Sequence, residues 1–112
     1  MQTRENHAKI IAALNDRLRQ TFLGGKVMIT SGVNELPDDT RARLFAAIMH
    51  ADNFDPGNDL YGEHDFGKVV IGGQDFFWKI DYYDHTLNFH SENPADPSIT
   101  TRVLTIMLAG EY

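Results

Sequence analysis

His64 and Asp65 are neighbours of the types that do acid–base chemistry, an imidazole as base beside a carboxylate that could orient it. Adjacent residues of an extended chain point apart, so the pair alone does not define a dyad. His85 and His90 add two imidazoles, but no helical i, i+4 pair or other ligand spacing joins them to His64 as a metal site. Asp52 to Glu63 has the twelve-residue length of a calcium-binding hand loop, with Gly57 at the sixth place. Phe54 and Pro56 fill the third and fifth places, where that loop needs oxygen ligands, so the motif fails. Asp55-Pro56-Gly57 reads instead as a tight turn. A looser divalent-metal cluster of Asp55, Asp59, Glu63 and Asp65 is the weaker reading of the same segment. Ser31 and Ser91 lie in no nucleophile motif, and no phosphate loop or dinucleotide fingerprint is present.

Those residues must be positioned by a chain of 112 residues, the size of one domain, expected to span residues 1–112. It carries 16 acidic and 10 basic residues, a net charge of -6. This argues against a phosphate-driven nucleic-acid binder, which needs clustered Lys and Arg. The charge is uneven: residues 1–50 balance at +2 and residues 51–112 at -8. Cysteine is absent, which excludes a disulfide framework, thiolate metal sites and a Cys nucleophile. The first residues lack the apolar stretch of a secretory signal, and the longest apolar run, Leu44 to Met49, is too short to span a bilayer. A cytoplasmic protein without a membrane partner is expected.

Ile10, Ile11, Leu14, Leu18 and Phe22 form one helical stripe within residues 4–22, stopped by Gly24-Gly25. Residues 26–30 read as a strand, and Ser31 to Leu36 as a connection. Pro37-Asp38-Asp39 starts a second helix that runs to about Ala51 and buries Leu44, Phe45, Ile48 and Met49. Residues 52–66 form a long loop, a feature often functional when it interrupts a compact domain. Strands over 68–71 and 74–83 flank a Gly72-Gly73 hairpin turn, and Asp84-His85 turns into a fourth strand over 86–90. Asp96 and Pro97 open a last helix with Ile99, Val103, Ile106 and Met107 inward. The expected fold is α+β: a two-layer sandwich with a mostly antiparallel four-stranded sheet and three helices on one face, in the order α-β-α-β-β-β-α.

Alternation separates the two faces of that sheet. The apolar face holds Val27, Ile29, Val69, Ile71, Phe76, Trp78, Ile80, Tyr82, Leu87 and Phe89. The other holds Lys26, Met28, Thr30, Lys68, Val70, Phe77, Lys79, Asp81, Tyr83, Thr86, Asn88 and His90, with three of the four lysines. Aromatics among lysines on an open sheet suit single-stranded nucleic acid. Asp81 in the middle and the acidic balance favour lysines that protect an exposed sheet, with Phe77 and Tyr83 paired across strands. A protein partner suits this face as well as a nucleic acid does, and Val70, Phe77 and Tyr83 equally suit a homodimer interface.

Two longer runs resemble an uncharacterised family of small proteins: Asp55-Pro56-Gly57-Asn58-Asp59 with Tyr61-Gly62-Glu63-His64-Asp65-Phe66-Gly67, and Phe77-Trp78-Lys79-Ile80-Asp81-Tyr82-Tyr83-Asp84. Ile11-Ala12-Ala13-Leu14-Asn15-Asp16 and Arg102-Val103-Leu104-Thr105-Ile106-Met107-Leu108-Ala109 resemble it too, so the likeness runs from about Asn6 to Tyr112. The resemblance implies a domain of unknown function, largely alphaproteobacterial and often carried on plasmids or other mobile elements. It brings no catalytic residue and no cofactor.

The leading expectation is a non-enzymatic protein-binding module, in an anti-restriction or anti-CRISPR role against a nuclease or its guide complex. Asp52, Asp55, Asp59, Glu63 and Asp65 would meet a basic partner, with His64 beside them and Tyr61 as the aromatic anchor. The alternatives are a small metal-dependent or His/Asp hydrolase using His64, Asp65 and His90, and single-strand nucleic-acid binding on the face of Lys68, Phe77, Lys79, Asp81, Tyr83 and His90.

Overall fold

The computed structural model describes residues 4–54, 59 and 61–112. The apolar stripe near the start folds as α1, Arg4–Thr21, and its inward line is Ile11, Ala12, Asn15, Leu18 and Arg19. Two polar residues thus share the buried stripe. Strand β1, Lys26–Ile29, follows. The connection after it contains a single helical turn, α2, Ser31–Asn34, whose Val33 is fully buried. Helix α3, Asp38–His50, begins after Pro37 with Asp38 and Asp39 at its positive end, and buries Leu44 and Ile48.

Strands β2, Phe66–Ile71, and β3, Gln74–Tyr83, form an antiparallel hairpin with Val69 opposite Phe76 and Gly67 opposite Trp78. Gly72 and Gly73 turn it with φ of 59° and 80°, the left-handed values a tight two-residue hairpin needs.

The final stretch departs from the sequence reading. Residues 86–90 are not a strand: only one bridge, Tyr83 to His90, reaches back to β3. Asp84 folds this segment into a turn by accepting from the Thr86 N–H at 3.1 Å and its hydroxyl at 2.7 Å, and Leu87 takes a φ of 62°. Leu87 and Phe89 therefore leave the expected core and stand 43% and 72% exposed. Asp96 does not cap a helix either, since its carboxylate accepts from both the N–H and the hydroxyl of Ser98 in a turn.

The segment beyond is β4, Thr101–Leu108, ending in a 3₁₀ turn over Ala109–Glu111. Thr101, Val103, Thr105 and Ile106 are β-branched, which suits a pleated strand better than a helix. Ile106 is buried as expected, but Ile99 is exposed and Val103 lies on the opposite face from Ile106.

The sheet is mixed, in the order β1-β4-β3-β2. The C-terminal strand is inserted at its centre, parallel to β1 and antiparallel to β3. One strand parity, Phe76, Trp78, Ile80, Tyr82, Leu104 and Ile106, packs with Ile11, Leu18, Val33, Leu44 and Ile48 from the three helices. The opposite parity stays exposed or half-exposed except at Met107. Among the described residues, no helix is long and apolar enough to cross a membrane.

Candidate functional site

Burying a polar side chain is costly unless its hydrogen bonds are made inside the protein. Asn15 and Arg19 are 0% and 1% exposed, so their partners define the most constrained polar region of the molecule.

Asn15 is a hub for four segments. Its Oδ1 accepts from Arg102 Nε at 2.9 Å, and its Nδ2 donates to the Tyr82 hydroxyl oxygen at 2.8 Å and the Glu63 carbonyl at 3.0 Å. Tyr82 in turn donates to Glu63 Oε1 at 2.9 Å. A guanidinium only donates, so Arg102 fixes which end of the amide faces it and gives the chain one direction, from Arg102 through Asn15 and Tyr82 to Glu63. The register of β3 against β4 sets Arg102 opposite Tyr82, and its guanidinium lies 5.3 Å from the ring centre. Its Nη2 donates to the Pro94 carbonyl. Burial raises the Tyr82 phenol pKa well above its ordinary value, with the nearby Glu63 charge adding to the effect. Burial also lowers the Arg102 pKa, opposed by Tyr82 and Glu63.

Arg19 ties α1 to the end of α3. Its Nη1 donates to the carbonyls of Ile48 at 2.9 Å and Ala51 at 2.6 Å, placing a cation on the helix's negative end. Its Nη2 meets Asp16 at 3.0 Å, and its guanidinium lies 5.2 Å from the Phe54 ring centre and 5.4 Å from that of Trp78.

The same Asp16 carboxylate holds His64, whose Nδ1 lies 2.9 Å and 3.1 Å from its two oxygens. Asp59 accepts the His64 backbone N–H at 3.0 Å, and its second oxygen stands 3.6 Å from Nε2. The Phe54 ring stacks on the imidazole at 4.0 Å and 9°. This grip holds His64 at a φ of 55°, a left-handed conformation uncommon outside glycine.

The His64–Asp65 dyad that the hydrolase alternative needs does not form; the imidazole turns to Asp16 and Asp59. Asp65 lies behind, half-buried, its pKa raised by burial and then by Glu63 and Asp59, while its backbone carbonyl accepts from Ile80 N–H at 2.8 Å. His90 bonds through Nδ1 to the Ser91 carbonyl at 2.9 Å and sets its ring edge-on to Tyr82 at 6.2 Å. His85 reaches the Ser98 carbonyl at 2.6 Å and the Thr101 hydroxyl at 3.1 Å. Among the described residues, no group of three His, Asp or Glu is arranged to hold a metal ion.

Of the expected loop contacts, Asp52 and Tyr61 are exposed, Glu63, His64 and Asp65 are half-buried, and Asp59 is buried with its carboxylate turned toward His64. Asp55 lies outside the described residues. On the open sheet face, Lys68 pairs with Asp75 at 3.5 Å and Lys79 with Asp81 at 2.9 Å. The second contact raises the Lys79 pKa. Phe77 packs with Phe66 and Tyr112, and Tyr83 is half-buried.

Sequence reasoning missed Asn15, Asp16, Arg19 and Arg102. A signal was present for two of them: Asn15 and Arg19 follow Ile11 at successive four-residue steps and so share its buried stripe.

These features define a small α+β protein whose loop between α3 and β2 is clasped to α1 by a buried polar network. The chain belongs to the family described as protein of unknown function DUF3768, which it matches over residues 29–111. Helix α1 precedes that match, so the clasp joins family residues Asp59, Glu63, His64, Tyr82 and Arg102 to Asn15, Asp16 and Arg19 outside it. No curated protein and no solved structure matches the chain.

Proposed function

We propose that this protein is a non-enzymatic binding module whose contact surface is the loop between α3 and β2. One observation carries the reading: Tyr61 is 64% exposed, while near it in sequence Glu63 is tied inward to Asn15 and Tyr82, His64 to Asp16, and Asp59 to His64. Anchoring of Asp59, Glu63 and His64 from within positions the neighbouring Tyr61 in advance, which lowers the entropy cost of association. A projecting tyrosine supplies a large contact area at small conformational cost, as interface anchors do. Asp52, earlier in the same connection, is also exposed, and residues 51–112 carry a charge balance of -8, so a basic partner surface is the complementary one. Proteins that handle nucleic acids carry such surfaces. In the mobile-element setting that the family resemblance implies, a host nuclease or its guide complex is the partner class, and occlusion of its basic channel is the mode of action.

The test is affinity capture from host cells with the wild-type chain, Tyr61→Ala and Asp52→Lys, each first shown to fold by circular dichroism. A basic protein retained by wild type and lost from both variants is the expected result. Equal retention by all three chains would overturn the reading.

A further inference from the structure

We infer that the outer edge of β2 is a peptide-binding site. It takes an extended segment of a partner protein as an added strand and seats one large apolar side chain of that segment in a neighbouring cavity. Tyr61 plays no part in this site, so it stands apart from the loop contact.

The hairpin fixes which groups the edge offers. Strand β2 ends the sheet, with β3 on one side only. The two-residue turn at Gly72-Gly73 makes Ile71 and Gln74 a hydrogen-bonded pair, and bonded pairs then recur at every second residue. A bond of 2.8 Å from the Ile80 N–H to the Asp65 carbonyl keeps the same parity one step beyond the strand. Asp65, Gly67, Val69 and Ile71 thus face β3 with their backbone groups. Phe66, Lys68 and Val70 aim their N–H and C=O groups outward, and among the described residues no backbone bond reaches them. Such a row of donors and acceptors is what an added strand pairs with. A lysine on an edge commonly guards it, but Lys68 reaches across the sheet to Asp75 on β3 at 3.5 Å.

A cavity of about 350 Å³ opens beside that row. It is lined by Ala51 and Phe54 from the connection after α3, by Phe66, Gly67 and Lys68 from β2, and by Trp78 from β3. Gly67 has no side chain to stand between the strand and the indole. Aromatic and aliphatic walls of this kind hold an apolar group, and the volume is room for a single large side chain.

Strand geometry also selects the occupant. Alternate residues of an added strand face the helix side of the sheet, where Gly67 and Trp78 lie opposite one another. A second copy pairing through its own β2 would bring Gly67, Val69 and Ile71 to that side. The first has no side chain, and the other two are packed against their own core. A separate extended segment with an unburied apolar side chain can both pair the edge and fill the cavity.

Selection from a phage-displayed library of random linear peptides on the full chain tests the inference. Enriched peptides should share a large apolar residue and should shift the NMR signals of the Phe66, Lys68 and Val70 amides and of the Trp78 indole. Those three amides should exchange with solvent readily in the free chain and about tenfold more slowly or better in the complex. Val70→Pro deletes an outward N–H that makes no bond within the sheet, a change edge strands tolerate, and should weaken binding about tenfold with an unchanged circular dichroism spectrum. The exchange readout on the wild-type chain decides the matter should that variant misfold. Tyr61→Ala should bind the peptides as wild type does. A library without binders, binders that leave the three amides unprotected, or binding that requires Tyr61 overturns the inference. So does a folded Val70→Pro chain that binds equally well, or an edge already protected in the free chain.

Discussion

The amide of Asn15 and the phenol of Tyr82, 67 positions apart in sequence, meet through a 2.8 Å hydrogen bond in the interior. That bond joins the first helix to the third strand, and through Glu63 and Arg102 to the loop and the fourth strand. Asn15 lies before the family match and Tyr82 within it, so the bond also ties α1 to the matched part of the chain.

Asn15→Ala is therefore expected to be among the more damaging substitutions. It strands the Arg102 Nε–H and removes the donor to Tyr82 inside the protein. Leaving one buried donor unpaired costs about 1–3 kcal/mol, and a charged donor more, so a loss of roughly 3 kcal/mol is expected. Urea denaturation measures it as a lowered midpoint at constant slope.

Tyr82 should make stability fall in alkali. Its folded pKa lies above the ordinary phenol value of 10.0, so the folded state holds the phenol proton more tightly than the unfolded chain does. The stabilisation is complete below pH 10 and is lost as pH rises beyond that value. Tyr82→Phe should cost about 1 kcal/mol at neutral pH from the lost hydrogen bonds. It should also flatten the alkaline fall, which thermal melts between pH 8 and pH 11 would show.

Asp65 works in the opposite sense at neutral pH. Burial raises its pKa, with Glu63 and Asp59 adding to the effect, so ionisation at pH 7 costs stability that returns as the pH falls toward the ordinary carboxylate value of 3.8. Asp65→Asn should raise the neutral-pH melting temperature, by a gain under about 1 kcal/mol because the group is partly solvated. The gain should vanish in acid. A neutral-pH loss would show that the carboxylate makes a bond worth more than its burial.

Gly67 admits the Trp78 indole. A Cβ at position 67 would sit 2.5 Å from two indole atoms, far inside normal contact, and Trp78 is 1% exposed with the core around it. Gly67→Ala should cost about 1–3 kcal/mol as overpacking. It should also alter tryptophan fluorescence, a direct readout because Trp78 is the one tryptophan.

Where local rules act alone, the sequence was readable. The stripe from Ile11 to Leu18 made α1, Gly72-Gly73 made the hairpin, and alternation put Phe76, Trp78, Ile80 and Tyr82 on the buried face. Ile99, Val103, Ile106 and Met107 fit a helical spacing as well as a strand, and only the slot between β1 and β3 settled the matter. There, β4 gains hydrogen-bonded neighbours on both sides and buries Arg102, Leu104 and Ile106 on one face.

The candidate site divides in the same way. The sequence marked the segment around Tyr61, Glu63 and His64 by its length and residue types alone. It could not show that His64 turns to Asp16 rather than Asp65, or which groups Asn15 and Arg19 bond inside the protein, because those pairings join residues up to 87 positions apart. Periodicity reports which face of an element is apolar, whereas the partners of a buried polar group are set by which elements pack around it.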